Sequence, residues 1–289
     1  MSNQAQKLAE IVSSQNAGKN AKTKFIAITS GKGGVGKTTI SANLGWLLAQ
    51  KGYQVGLLDA DIGLANLDVM LGVKPEKTIL NLMRGECGVE DILMQLDKTF
   101  YLVPGESGGD ILKFGERYAL ERFYDEIKKL DFLDYLVVDT GAGIGDSVQT
   151  FLNAADETLI IATPDPAAIT DAYAMLKVLS DAPRRLLMII NQTQSDREGE
   201  QVYEKIAKVA AKNLPNVDLK LLGTLPRDND VTRSVRGRYL FSKEIANSRS
   251  TARLSEILGS LLRLMERGML EAKEGSGFRG FFKRLLDQF

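Results

Sequence analysis

Short, nearly continuous apolar runs alternate with longer stretches of helical period along this chain, and that alternation constrains its fold more than any other feature. The runs fall at residues 24–29, 54–58, 100–103, 135–138, 158–162, 186–190 and 220–223. They lack the in-out alternation of a half-solvated strand, so each predicts a parallel strand covered on both faces. Helical spacing between them is clearest at 38–51, 115–129 and 167–179, and a last long helix is expected at 251–271. Strand and helix in turn predict an α/β fold: one doubly wound, mostly parallel sheet with helices on both faces, and ligands at the strands' carboxyl ends. The 289 residues are enough for one such domain.

The expected organisation is a polar leader over residues 1–23, the main domain over 24–272, and a glycine-containing joint with a separate helix over 273–289. Lys+Arg and Asp+Glu balance at 37 each, so net charge gives no support for a nucleic-acid partner, and any basic surface must be local. The chain has no histidine, which removes the usual zinc sites and the Ser-His-Asp triad. A single cysteine, Cys87, excludes an internal disulfide and fits a reducing cytoplasm. The first residues carry no secretory signal, and no apolar run is long enough to span a bilayer.

The first run, ending Ile26-Ala27-Ile28-Thr29, leads into Gly31-Lys32-Gly33-Gly34-Val35-Gly36-Lys37-Thr38 and then a helix. This fits G-x-x-x-x-G-K-[ST] in its proper context of strand before and helix after. Glycines let backbone N–H groups converge on phosphate oxygens, and the helix N-terminus adds positive potential. Lys37 is expected on the β- and γ-phosphates of ATP, the Thr38 hydroxyl on Mg²⁺, with Val35 and Thr39 flanking them. Two later runs end in carboxylates. Leu57-Leu58-Asp59-Ala60-Asp61 places two on one side of an extended backbone, and Tyr135-Leu136-Val137-Val138-Asp139 places Asp139 to hold Mg²⁺ directly or through water. The glycines that follow, Gly141, Gly143 and Gly145, suit a loop that rearranges around a γ-phosphate.

The second lysine of the loop, Lys32, makes Lys32-Gly33-Gly34-Val35-Gly36-Lys37-Thr38 resemble the deviant Walker A signature of the MinD/ParA ATPases. The resemblance runs from about Lys24 to Leu270 and implies low-turnover ATP hydrolysis by an ATP-bound homodimer. It implies that Lys32 reaches the partner's nucleotide, Asp61 orients the attacking water, and Asp59 supports Mg²⁺ through its waters. It further implies that Asn191, through its amide, and the loop of Pro226 and Asp228 contact the adenine. A solvated loop lysine, a strand-ending turn and a simple turn-forming Asn are the plainer alternatives. Asp61-Ile62-Gly63-Leu64-Ala65-Asn66-Leu67-Asp68, Asp139 to Ser147 and Ala168 to Tyr173 most resemble the branch that controls the number and placement of bacterial flagella. A division-site regulator of the MinD kind and a DNA-partition ATPase remain alternatives, the latter with Arg184-Arg185 or Arg233, Arg236 and Arg238 as its surface. A cluster-bridged iron protein shares the loop but needs paired cysteines.

In the last twelve residues Phe278, Phe281, Phe282, Leu285, Leu286 and Phe289 form one helical stripe, with Arg279, Lys283 and Arg284 off it. A basic amphipathic helix with three phenylalanines among its first five residues predicts seating at the inner face of the cell membrane. The alternative is a terminal helix docked on the protein, and Gly275-Ser276-Gly277 speaks against it as a joint a docked helix does not need. In the leader, Ala5, Leu8, Ile11 and Val12 share a helical face. The resemblance implies that this segment engages the GTPase FlhF, with flagellar basal-body proteins as further partners.

Overall fold

A computed structural model describes residues 23–61, 66–105, 117–268 and 277–286. Eight strands form one sheet: β1 Lys24–Ser30, β2 Val55–Ala60, β3 Met94–Asp97, β4 Phe100–Val103, β5 Tyr135–Ala142, β6 Glu157–Ala162, β7 Arg184–Thr193 and β8 Val217–Pro226. Their order is β3-β4-β2-β5-β1-β6-β7-β8, and every pairing is parallel except β3 with β4. All seven apolar runs are strands. The eighth, β3, was not expected, because the run Met94-Gln95-Leu96-Asp97 is too short and too polar to stand out.

Helices cover both faces. In chain order they are α1 Lys37–Gln50, α2 Leu67–Leu71, α3 Ile79–Met83, α4 Val89–Ile92, α5 Arg117–Lys128, α6 Asp146–Ala154, α7 Pro166–Val178, α8 Asp196–Asn213, α9 Asn229–Gly237, α10 Phe241–Glu244, α11 Arg249–Gly268 and α12 Phe278–Leu286. Successive strand residues feed opposite cores. Phe25, Ala27, Leu136 and Val138 join one core with residues of α5, α6, α7 and α8, while Ile26, Ile28, Leu57 and Val137 join the other with α1 and α11. Both members of each alternating pair are therefore apolar, and the runs look continuous. The mean charge of the sequence hides how the arginines are used. Arg184 donates to Asn153 Oδ1 at 2.9 Å and Arg185 pairs with Glu157, so both are tied into the fold at the amino ends of β6 and β7.

The tail overturns an expectation. Phe278, Phe281, Phe282 and Leu285 do not face outward for a bilayer; each is at most 3% exposed and belongs to the first core. Phe281 stacks on Phe25 with ring centres 4.2 Å apart, and Phe282 meets Phe123 edge-on at 5.1 Å. Helical periodicity records that a stripe leaves water and says nothing of whether lipid or protein receives it. Of the expected glycine joint, Gly277 alone lies among the described residues. Gly277 has φ +94 and turns the chain so that its carbonyl accepts from Phe281 N at 3.0 Å, while Asp131 caps the helix by accepting from Phe278 N. Glycine adopts this left-handed conformation without the cost a side chain would add. Arg284 donates to the Ala154 carbonyl at the carboxyl end of α6, and Lys283 alone of the two described basic side chains is exposed. Leu286 ends the helix; its side chain, Phe289 and residues 1–22 of the leader lie outside the described residues.

Candidate functional site

The carboxyl ends of β1, β2, β5, β7 and β8 open onto a cleft of about 830 Å³. The phosphate loop forms its floor. Gly34 and Gly36 have φ +77 and +96, the latter as the N-cap of α1, and both conformations disfavour a side chain. A Cβ on Gly36 would fall 2.6 Å from Asn191 Nδ2, so the loop is pressed against the end of β7. Gly31 is glycine for another reason: a Cβ there would lie 2.3 Å from the Asp171 carbonyl carbon, where α7 passes. Gly33 and Gly34 border open space.

Lys37 opens α1 at 8% exposure; its carbonyl accepts from the Ser41 hydroxyl, while its ammonium makes no hydrogen bond or salt bridge among the described residues and acts on Asp139 only through its charge. A buried ammonium with no hydrogen-bonded partner beside glycine-loop amides suits a phosphate anion. Asp139 and Asp59 lie beneath the loop as direct register neighbours on β5 and β2, 2% and 3% exposed. Burial pushes the Asp139 carboxyl up to about 7, opposed by hydrogen bonds from Thr38 and Ser41. Burial likewise pushes Asp59 up to about 6, opposed by the amides of Leu67, Asp61 and Asn66. Two buried carboxylates side by side repel one another and suit a cation. With the Thr38 hydroxyl they make an all-oxygen donor set appropriate to Mg²⁺.

Gly33, Gly34, Gly36, Lys37, Thr38 and Thr39 line the cleft from the loop, and Asp61, Asn191, Pro226 and Asp228 line it from the other strand ends. Asp61 stands close to the carboxyl end of β5, its Oδ1 3.3 Å from where a Cβ on Gly141 would be. Two of these residues are also engaged within the protein. Asn191 Nδ2 donates to the Val35 carbonyl at 2.8 Å, which ties β7 to the phosphate loop and leaves Oδ1 as its acceptor. Asp228 caps α9 by accepting from Asp230 N and also takes the Ser250 hydroxyl at 2.6 Å. Its carboxylate therefore holds helices together, and what it offers the cleft is mainly the course of its backbone.

Lys32 does not line this cleft. With Gly33, Gly34 and Val35 it borders a second one of about 350 Å³, and its Nζ lies 3.0 Å from Asp165 Oδ1, both side chains well exposed. Asp165 is at the same time the N-cap of α7, accepting from Ala167 and Ala168 amides. Sequence reasoning passed over Asp165 although Asp165-Pro166 is a readable helix start. It also passed over Ser41, one helical turn after Lys37, whose hydroxyl stands 2.8 Å from Asp139 Oδ1. The spacing of four and the strand ending in Asp139 were both visible; the pairing of β1 with β5 that brings the two together was not.

The ParA family profile, described as NUBPL iron-transfer P-loop NTPase, matches residues 21–262. The chain is 45% identical over 291 residues to the flagellum site-determining protein YlxH of Helicobacter pylori, covering 99% of each. It is 41% identical over 217 residues to the antiactivator FleN of Pseudomonas aeruginosa, covering 73% of this chain and 76% of that one. Among solved structures it resembles the cell division ATPase MinD of Pyrococcus furiosus, with a TM-score of 0.67 at 25% identity over 83% of this chain and 99% of the other.

Proposed function

The chain belongs to the ParA/MinD family of P-loop NTPases, and within it we propose that it is an ATP-hydrolysing, dimerising switch that regulates flagellar number and placement. The observation that carries this is the division of labour between two lysines of one loop. Lys37 lines the cleft and is buried, while Lys32 borders a different cleft and pairs with the exposed Asp165. A phosphate bound at the loop satisfies Lys37 at once; Lys32 meets phosphate only when a second subunit approaches. The whole-chain likeness to YlxH and the likeness to FleN support the flagellar role. Cys87, the chain's one cysteine, is buried and does not supply the paired thiolates that iron transfer needs.

In this reading the loop amides and Lys37 hold the β- and γ-phosphates. Thr38 and Asp139, assisted by Asp59, would hold Mg²⁺, which would supply positive charge against the phosphates. Asp61 orients the attacking water, Lys32 of each subunit stabilises charge on the other's nucleotide, and the Asn191 Oδ1 and the Pro226–Asp228 loop receive the base. Ser41 keeps Asp139 in place.

The docked tail bears on reversible membrane association. Burial of Phe278, Phe281, Phe282 and Leu285 yields roughly 8–12 kcal/mol gross at about 2–3 per side chain. Ordering the nine-residue helix and its turn costs about 1 kcal/mol per residue. The same stripe leaves water by a similar amount in lipid, so one tail has little net reason to move. Two tails on an ATP-bound dimer, with basic side chains on anionic lipid, supply that reason through avidity. The leader is proposed to engage FlhF.

The test is a flagellated host whose own gene carries Lys37→Ala. Altered flagellar counts in electron micrographs are expected. Normal counts with misplaced division septa would replace this reading by the MinD-like one.

A further inference from the structure

The nucleotide cleft and the smaller cleft of Lys32 meet at the phosphate loop, and a thin wall divides them. Gly33, Gly34, Gln192 and Arg227 border both. Arg227 follows Pro226, the last residue of β8, yet the strand's course continues through it. Its amide donates to the Thr193 carbonyl at 2.8 Å, and Asp228 is extended at φ −139 and ψ 129. Side chains alternate along such backbone, so Arg227 leaves on the side opposite Pro226 and Asp228. In the ATPase reading those two face the base, and Arg227 turns towards the cleft it shares with Lys32. Its side chain is exposed, and its guanidinium makes no hydrogen bond or ion pair among the described residues. The carboxylates of that cleft are engaged elsewhere. Asp165 accepts from Lys32 and from the first amides of α7, and Glu198 accepts from Gln194 N at 2.7 Å. A cation with a fixed backbone and a free head, placed beside Lys32, is equipped for an anion that a second subunit brings.

We propose that Arg227 is a second partner-directed cation: in the ATP-bound dimer its guanidinium binds phosphate oxygens of the nucleotide held by the other subunit. This rests on the reading of the chain as a dimerising ATPase. A nucleotide seated on the phosphate loop is the densest negative charge at the face that two such subunits share. The guanidinium fork meets two phosphate oxygens at once, which the point charge of a lysine does not. Lys32 must give up Asp165 to reach that nucleotide, whereas Arg227 has no pair to give up. The two cations therefore differ in what contact costs them.

The experiment uses the full chain, wild type and Arg227→Ala, each loaded with Mg²⁺ and a non-hydrolysable ATP analogue in fluorescent or plain form. Two mixtures are made, each with the plain form in excess. In one, wild type carries the fluorescent analogue and Arg227→Ala the plain one; in the other the loads are exchanged. Both contain the same mixed dimer and differ only in which subunit holds the label, so dimer stability cancels. Label on wild type, facing a partner without Arg227, is expected to leave about fivefold faster or more than label on Arg227→Ala facing a wild-type partner. With Arg227→Lys in place of Arg227→Ala the difference is expected to shrink to about twofold, since the charge survives and the fork does not. Faster release from the subunit that lacks its own Arg227 places the residue in its own site and overturns the proposal. Equal release from the two mixtures, with wild type eluting as a dimer on a sizing column, overturns it as well and leaves the dimer standing. Wild type that elutes as a monomer with the analogue removes the dimer reading and the proposal together.

Discussion

At the carboxyl ends of β1, β2 and β5 the protein buries Lys37, Asp59 and Asp139, whereas beneath α12 it buries Phe25, Phe123 and the phenylalanines of the tail. Both regions are nearly inaccessible to water, but only one is satisfied by the chain alone. Under α12 each ring finds another ring, and the ends of the helix are held by Asp131 and Arg284. In the cleft the Lys37 ammonium makes no hydrogen bond or salt bridge among the described residues, and burial holds two neighbouring carboxylates above their ordinary range. The polar region is completed from outside, which is what a ligand site requires. The apolar region is complete already, so anything that draws the tail away must replace what it loses.

The largest effects should come from the unsatisfied region. Lys37→Ala removes charge-assisted bonds to two phosphates, about 3 kcal/mol together. ATP affinity is expected to fall by about 100-fold, read by titration of a fluorescent ATP analogue. Asp61→Ala should leave that affinity within about threefold while slowing turnover by about 100-fold, so that the ATP-bound dimer accumulates on a sizing column. If the two variants behaved alike, Asp61 would belong to binding and the cleft would lack the division of roles assigned to it.

The satisfied region should answer in stability. Deleting residues 277–289 uncovers Phe25 and Phe123. A loss of about 2 kcal/mol would lower Tm by about 4–8 °C for a chain of this size. The same truncation should abolish ATP-dependent sedimentation with anionic vesicles. An unchanged Tm would mean the stripe does no packing in solution, and the contrast between the two regions would disappear.

Titration separates the regions further. Asp139 is raised to about 7 by burial, so the unfolded chain ionises this group first as pH rises. Its contribution to stability is full below the unfolded value near 4 and is gone once pH passes about 7. Tm without ligand should therefore fall between pH 5 and 7.5 more steeply in wild type than in Asp139→Asn, and Mg²⁺ with ADP should flatten the wild-type curve. Equal slopes in the two proteins would show that Asp139 is not held protonated by burial.

The smallest effect belongs to Lys32. Its pair with Asp165 is exposed on both sides, at 41% and 50%, and such pairs contribute less than about 1 kcal/mol. Asp165→Asn keeps the α7 cap and should shift Tm by no more than about 2 °C. Lys32→Ala should preserve ATP binding to the monomer while weakening ATP-dependent dimerisation. Loss of ATP affinity as severe as in Lys37→Ala would place Lys32 in its own subunit's site and remove the contrast between the two lysines.

Local sequence determined every element whose signal is local. The seven apolar runs became strands because residues covered on both faces must be apolar in succession, and the loop from Gly31 to Thr38 joined β1 to α1 because its glycines permit the turn. Asp61, Lys37 and Thr38 could be picked out because each sits at a fixed offset from a strand or helix end. Tertiary structure decided what depends on distant partners. It gave β3 to an unexpected edge, Ser41 to Asp139, Lys32 to Asp165 and the Asp59 carboxylate to amides of the following segment. It also chose protein as the environment of the tail stripe. Periodicity specifies which side of a helix must leave water, but the free energy of apolar burial is nearly indifferent to what covers it, so only the arrangement of Phe25 and Phe123 settled the matter.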